Sequence, residues 1–177
     1  MNRYLSKLFR ANHIQRIVSM SLWPNDKEFT ESAACVNAVQ KYSPFKLADK
    51  NITAFVIADG RTPRTGALLA IESAWKIHSI DPMLKHSGLH PRIERLFMHR
   101  KKAENFYCQH NGSIVIVAPH SHANLLQCLK TYKAYDAFIV SLPCCINDNV
   151  GVPITTYEDF NCLSPKRRIN IYRIMAK

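Results

Sequence analysis

Several short, almost continuous apolar runs constrain the fold of this chain more than any other feature. They read AFVIAD at 54–59, SIVIVAP at 113–119 and DAFIVSLP at 136–143. Strands that are apolar throughout, rather than at every second residue, are typical of parallel sheets covered by helices. None of the runs approaches the roughly 18 residues needed to cross a bilayer. They therefore predict buried strands of a parallel sheet, and no membrane association is expected.

The segments between these runs carry helical signals and further strand signals. A helix is expected from about Pro63 to Trp75, with the proline in its first turn, and another at 123–133. Residues 76–81 predict a strand, 92–99 a strand or a strand–helix junction, and 167–175 a late antiparallel strand at an edge. Strands that alternate with helices of this length imply βαβ units, and hence an α/β fold.

The first fifty residues are expected to be helical. Residues 5–20 space their apolar side chains by three and four, and 26–42 follow a Pro-Asn-Asp break at which Asn25 or Asp26 can cap a helix. No internal repeat or linker interrupts the chain. A single domain over 1–177 is therefore predicted, with a helical part at 1–50 and an α/β core at 51–177.

The net charge narrows the range of partners. It is +11, from 24 basic and 13 acidic residues among 177, and such a field attracts polyanions. The basic residues concentrate at 7–16, 90–102 and 166–173. Nucleic acid or another phosphorylated substrate is one interpretation. A generally basic surface without a dedicated partner is the other.

Cysteine usage indicates the compartment and argues against a metal site. The six cysteines contain no CxxC pair, and no histidine stands in an HExxH frame. Familiar zinc spacings are thus absent, and no metal is expected. A reduced, cytoplasmic location is the plainer interpretation of this cysteine pattern. The N-terminus lacks the apolar region and cleavage site of a secretory signal, and its arginines leave a mitochondrial presequence as an alternative.

The turn from Asp59 to Gly66 follows the first apolar run and is a candidate ligand site. Ligands of open α/β sheets bind at the carboxyl ends of strands, where glycine permits close approach and a helix offers free amides. Asp81, at the end of the next strand, could accept hydrogen bonds from ribose hydroxyls. GxGxxG and P-loop signatures are both absent. An ordinary turn, with Asp59 as a helix cap and Asp81 capping before Pro82, remains the alternative.

Asp59-Gly60 and Ser79-Ile80-Asp81-Pro82 resemble the first two motifs of class I S-adenosylmethionine-dependent methyltransferases. His120-Ser121-His122-Ala123 after one strand, and Pro143-Cys144-Cys145 after the next, are similar to a subgroup that includes tRNA-modifying enzymes. The resemblance implies a Rossmann-like three-layer sandwich with S-adenosyl-L-methionine as cofactor. It covers about residues 50–175. The low glycine density and the absence of a [DN]PP[YF] signature depart from the family pattern.

The resemblance also implies roles for individual residues. The expected cofactor-binding residues are Asp59, Gly60, Arg61, Thr62, Asp81 and Pro82. The expected catalytic residues are His120, His122 and Cys144, the last as a possible thiolate nucleophile. A cap, a solvated imidazole and a core cysteine are their plainer interpretations.

Basic residues near the turn and after residue 91 are candidates for nucleic-acid binding. They are Arg64, Arg95, Arg100, Lys101 and Lys102, with Phe106 and Tyr107 nearby for base stacking. The first hypothesis is accordingly a methyltransferase acting on RNA or another anionic substrate. The alternative is a catalytically inactive methyltransferase-like subunit that binds nucleic acid or a protein partner. A different nucleotide-handling enzyme on the same fold is a third possibility.

Overall fold

The structure, a computed structural model, describes residues 2–10, 19–110, 112–132, 136–145 and 148–175. These residues form a sheet of eight strands, flanked by helices. The strands are β1 (Thr53–Ile57), β2 (Lys76–Ile80), β3 (Gly88–Leu89), β4 (Leu96–His99), β5 (Ser113–Pro119), β6 (Asp136–Leu142), β7 (Thr155–Glu158) and β8 (Arg168–Met175). The helices are α1 (Arg3–Arg10), α2 (Asp26–Tyr42), α3 (Arg64–Glu72) and α4 (Leu125–Tyr132), and a 3-10 turn spans Ala103–Asn105.

The strand order is β3-β4-β2-β1-β5-β6-β8-β7. Neighbours from β4 through β6 pair in parallel, whereas β8 runs antiparallel to β6, and both β7 and β3 pair antiparallel with their neighbours. The predicted α/β class, the mainly parallel sheet and the late antiparallel strand are therefore confirmed. The expected edge position of β8 is wrong, because β7 pairs with its outer side. The short strands β3 and β7 were not predicted, since neither carries an apolar run.

Helices cover both faces of the sheet. On one face, α2 and α3 pack on alternate strand residues such as Ala54, Val56 and Val117. On the other face, α4 and the segment around Phe106 pack on the intervening residues, such as Phe55 and Ile116. All five residues of β1 are buried, which is why the sequence shows no alternation there. The expected three-layer sandwich is confirmed.

The N-terminal part is helical where the structure describes it. Helix α2 has the predicted bounds, and Oδ1 of Asn25 accepts a hydrogen bond from the backbone N–H of Glu28 at 3.0 Å. Helix α1 begins two residues before the predicted helix at 5–20 and overlaps its first part, but residues 11–18 lie outside the described residues. The division into an extension and a core within one domain stays a prediction. No helix in the described ranges is both long and apolar enough to span a membrane.

The order of the strands locates a crevice at the carboxyl end of β1. From β1 the chain moves outward through β2 and β4, and then returns to the other side of β1 to form β5 and β6. Such a reversal separates the loops that follow the two central strands, which opens a crevice above the sheet. The turns after β1, β2 and β5 meet there.

Candidate functional site

Two adjoining cavities occupy this crevice. The larger, of about 520 Å³, lies between the β1 turn, helix α2 and the segment around Ser164. The smaller, of about 390 Å³, extends over the β2 turn towards Glu104. Ala58, Asp81 and His120 line both cavities. The three turns at the switch point thus border one elongated cleft.

The carboxylate of Asp59 is directed into the fold. Its Oδ1 accepts the N–H of Thr65 at 2.7 Å, and its Oδ2 accepts the N–H of Gly66 at 2.9 Å and the hydroxyl of Ser79 at 2.8 Å. The residue is 1% exposed. Burial raises the pKa of Asp59 to about 6, although these hydrogen bonds oppose the shift. Asp59 therefore ties the start of α3 to the end of β2, as the capping alternative anticipated.

The two glycines of the turn are required for different structural reasons. Gly60 has a φ of +82°, and its N–H donates to Oδ2 of Asp81 at 2.9 Å. A Cβ on Gly66 would lie 3.0 Å from Oδ2 of Asp59, 3.1 Å from Leu96 Cδ1 and 3.2 Å from Ser79 Cβ. Gly66 is thus required by close helix–sheet packing rather than by approach to a ligand. Only Gly60 shapes the turn at the cleft.

Asp81 is the carboxylate best placed to meet a ligand. It follows β2 directly and borders both cavities, with its Oδ1 accepting the N–H of Met83 at 2.6 Å. Each oxygen therefore has one backbone donor in the structure, and a carboxylate oxygen can accept another hydrogen bond. Pro82, next in sequence, lines the smaller cavity.

His120 stands at the centre of the cleft, held by a buried glutamate. Its Nε2 lies 2.9 Å from Oε1 of Glu31 and 3.3 Å from Oγ of Ser164. Its Nδ1 is buried and has no hydrogen-bond partner among the described residues. Burial raises the pKa of Glu31, but the hydrogen bond and charge of His120, with help from Ser164 and Lys27, lower it overall.

The backbone at the switch point is strained. Ala58 and His120 adopt left-handed conformations with φ values of 63° and 49°, which non-glycine residues rarely do. Ala58 N–H donates to the carbonyl of Ile80, and His120 N–H donates to that of Leu142. Such strain persists where the surroundings enforce it, and it clusters at ligand sites.

The other residues predicted to bind the cofactor differ in position. Arg61 is exposed at the turn, whereas Thr62 donates its hydroxyl to the carbonyl of Leu22 at 2.7 Å and so anchors the N-terminal segment. Arg64, predicted to bind nucleic acid, lines the larger cavity. It forms an ion pair with Glu28, and burial lowers the pKa of its guanidinium although the charge of Asp81 opposes this.

His122 and Cys144 lie close together, with one ligand atom of each within 4.8 Å of the other. His122 lines the smaller cavity, and Cys144 lines the larger one. Sγ of Cys145 lies 3.3 Å from Nε2 of His122. The predicted catalytic residues are thus brought to one region of the cleft.

The remaining basic residues predicted to bind nucleic acid do not form one patch. Arg95 precedes β4 and donates to the carbonyls of Ala70 and Ser73 at the end of α3. Arg100, Lys101 and Lys102 follow β4 and are exposed at its other end. The proposed stacking role of Phe106 is wrong, because the residue is only 8% exposed and its ring packs against Phe55 in the core. Tyr107 is 62% exposed.

Sequence reasoning missed the contribution of α2 to the cleft. Lys27, Glu28, Glu31 and Ser32 all line the larger cavity. A signal was present, because Glu31 falls among residues of α2 that are otherwise small or apolar and buried. Charged groups on a buried helix face are rare unless they have a partner or a function.

No protein-family model and no curated protein sequence matches the chain. Among solved structures, a single-residue variant of MtNAS in complex with S-adenosylmethionine aligns over 97% of this chain and 70% of its own, with 8% identity and a TM-score of 0.51. The 23S rRNA methyltransferase ErmE aligns over 84% and 67%, with 11% identity and a TM-score of 0.47. The 16S rRNA (adenine(1408)-N(1))-methyltransferase from Catenulisporales acidiphilia aligns over 88% and 96%, with 12% identity and a TM-score of 0.45. The likeness to MtNAS, together with the strand order, confirms the predicted Rossmann-like fold.

Proposed function

We propose that the protein binds S-adenosylmethionine in this cleft and transfers its methyl group to RNA or another anionic acceptor. The observation that carries the proposal is the convergence of Ala58, Asp81 and His120, from three turns, at the border of both cavities. Ligands of this class of fold bind at the switch point. The MtNAS structure named above holds S-adenosylmethionine on the same fold.

The residues of the cleft fit such a cofactor. Asp81 has acceptor capacity for ribose hydroxyls, and Pro82 and Ala103 offer apolar surface for the base in the smaller cavity. In the larger cavity, Arg64 provides a positive charge for the carboxylate of the cofactor's amino-acid moiety, and Glu28 provides a negative charge for its ammonium group. When bound, the cofactor supplies an activated methyl group on a sulfonium. Gly60 and Arg61 form the adjoining turn.

The protein's own contribution is mainly positioning. Asp59 is proposed as a positioning residue, because its three hydrogen bonds hold the start of α3 against the end of β2. His120, fixed by Glu31, is proposed to contact the acceptor, since it lines both cavities. His122 and Cys144, the other predicted catalytic residues, border the same cleft.

The anionic acceptor is inferred from charge. The chain has a net charge of +11, and Lys27 and Lys166 line the larger cavity while Lys102 lines the smaller one. Cations at the entrance of a cleft raise the local concentration of an anionic substrate. RNA is the proposed acceptor because it combines such charge with many methylatable atoms.

Calorimetric titration with S-adenosylmethionine and with its demethylated product tests the proposal. We expect saturable binding, weakened about 10- to 100-fold by Asp81→Asn, because hydrogen bonds to a charged group are lost. Asp136→Asn is the matched control, since Asp136 opens β6 at the opposite end of the sheet. Binding should be unchanged in that variant.

The outcomes separate the alternatives. Absence of binding to wild-type protein at millimolar cofactor would refute the proposal. Binding without methyl transfer to any RNA pool would favour the catalytically inactive subunit instead. Equal affinities for wild-type protein and Asp81→Asn would place the cofactor elsewhere.

A further inference from the structure

Two turns at the carboxyl ends of neighbouring strands bring a histidine and two cysteines together. Strands β5 and β6 pair in parallel, with Pro119 opposite Leu142 at their ends. His122 stands three residues beyond β5, and Cys144 and Cys145 stand two and three residues beyond β6. Because the strands end at the same level, these turns must lie side by side. Their adjacency is a consequence of sheet register, not of spacing along the chain.

The three side chains have the geometry of a metal-ligand set. One ligand atom from each lies within 4.8 Å of the others, and Sγ of Cys145 is 3.3 Å from Nε2 of His122. Metal–ligand bonds of about 2.3 Å to sulfur and 2.0–2.1 Å to nitrogen give ligand–ligand distances of about 3.6–3.8 Å in a tetrahedral zinc site. The ligand atoms are therefore close enough that only small side-chain rotations are needed for all three to bind one ion. His122 and Cys145 are exposed, so the ion can enter.

We propose that His122, Cys144 and Cys145 bind one Zn²⁺ ion. Thiolate and imidazole are the ligands that zinc favours in proteins. Binding displaces the two thiol protons, so that two thiolates and a neutral imidazole balance the charge of the ion. The centre is then neutral, and Lys166, whose Nζ lies 3.8 Å from Sγ of Cys144, does not oppose it.

The site has an open fourth position. The described residues contribute three ligands to this cluster and no fourth histidine, cysteine or carboxylate. Three protein ligands with one open position are typical of catalytic zinc, whereas structural zinc has four protein ligands. Since His122 lines the smaller cavity and Cys144 the larger, the ion stands on the wall of the cleft. Its fourth position is open to water or to a nitrogen, oxygen or sulfur atom of a ligand in the cleft.

Metal titration of the reduced, metal-free protein tests the site without any cofactor or activity assay. Zn²⁺ is titrated against a chromophoric chelator, and Co²⁺ serves as a spectroscopic probe. We expect one ion per chain, with a thiolate-to-cobalt charge-transfer band and the strong visible bands of four-coordinate cobalt. Cys144→Ala, Cys145→Ala and His122→Ala should each weaken Zn²⁺ binding by about 100-fold or more, since even residues behind the ligands contribute 10- to 100-fold.

Matched controls lie outside the cluster. Cys108→Ala removes another partly exposed cysteine, and His86→Ala removes another exposed histidine. Both variants should bind Zn²⁺ like the wild type. Thiol counts before each titration establish that the cysteines are reduced. Failure of the reduced protein to bind Zn²⁺, or unchanged affinity in the Cys144→Ala/Cys145→Ala double variant, would overturn the proposal.

Discussion

At the scale of single residues, the two aspartates of the predicted cofactor motifs have separated roles. Asp59 uses both oxygens inside the fold, whereas Asp81 faces the cavities. From the sequence both were expected to bind the cofactor, because both follow apolar strands. The difference arises from the direction of each side chain, and that direction depends on where α3 starts. Gly66 belongs to the same arrangement, since its missing Cβ lets the helix approach Asp59.

The burial of Asp59 predicts a pH-dependent stability. Its pKa is raised to about 6 in the folded protein, above the usual 3.8. The stability linked to its protonation is fully present below about pH 4 and is lost as the pH rises through 6. Measured by urea unfolding, the stability of the wild type relative to Asp59→Asn should fall by up to about 3 kcal/mol between pH 4 and pH 7. A difference that stays constant, or that rises, would contradict the shifted pKa.

At the scale of elements, helix α2 forms one side of the cleft, although it lies outside the motifs identified in the sequence. It packs on the sheet through residues such as Ala34, Cys35 and Val39, and presents Glu28 and Glu31 to the larger cavity. Its position is therefore coupled to that of His120 through the contact with Glu31. The sequence predicts α2 as part of a helical N-terminal extension, whereas in the structure its residues line the larger cavity.

The cap of α2 is predicted to stabilise this arrangement. Asn25→Ala removes the acceptor for the N–H of Glu28 and should cost about 1 kcal/mol of unfolding free energy. Asn25→Asp keeps a carboxylate acceptor beside the helix N-terminus and should remain close to the wild type. Chemical denaturation of the three proteins measures the difference. Unchanged stability of Asn25→Ala would show that the cap contributes nothing, and an equal loss in Asn25→Asp would show that the loss does not arise from the missing acceptor.

At the scale of the whole molecule, the basic residues predicted to bind nucleic acid, all of them described in the structure, are spread over several places. Arg95 and Arg100 lie at opposite ends of β4, and Arg64 is drawn into the cleft by Glu28. The exposed cations nearest the smaller cavity are on the turn after β4, where Lys102 lines it. The proposed RNA would therefore contact the protein around this turn as it enters the cleft.

This arrangement predicts salt-dependent RNA binding. The logarithm of the affinity for single-stranded RNA should fall linearly with the logarithm of salt concentration, by about 0.7 for each phosphate contact. Combined replacement of Arg100, Lys101 and Lys102 by alanine should lower the slope by up to about 2. Lys50→Ala, exposed near the amino end of β1, is the control and should leave the slope near that of the wild type. Fluorescence anisotropy at several salt concentrations measures the slopes, and a flat response would refute binding led by phosphates.

The sequence by itself determined the α/β class, the bounds of β5 and α2, and the two acidic strand ends. These features follow from local apolar patterns and capping residues, which act over a few neighbouring positions. Tertiary structure alone decided that Asp59 points inward, that α2 supplies Glu31 to His120, and that His122 meets Cys144 and Cys145. Each of these depends on which strands are neighbours and where they end. That register is set by burial of the whole sheet, so no short segment of the chain contains it.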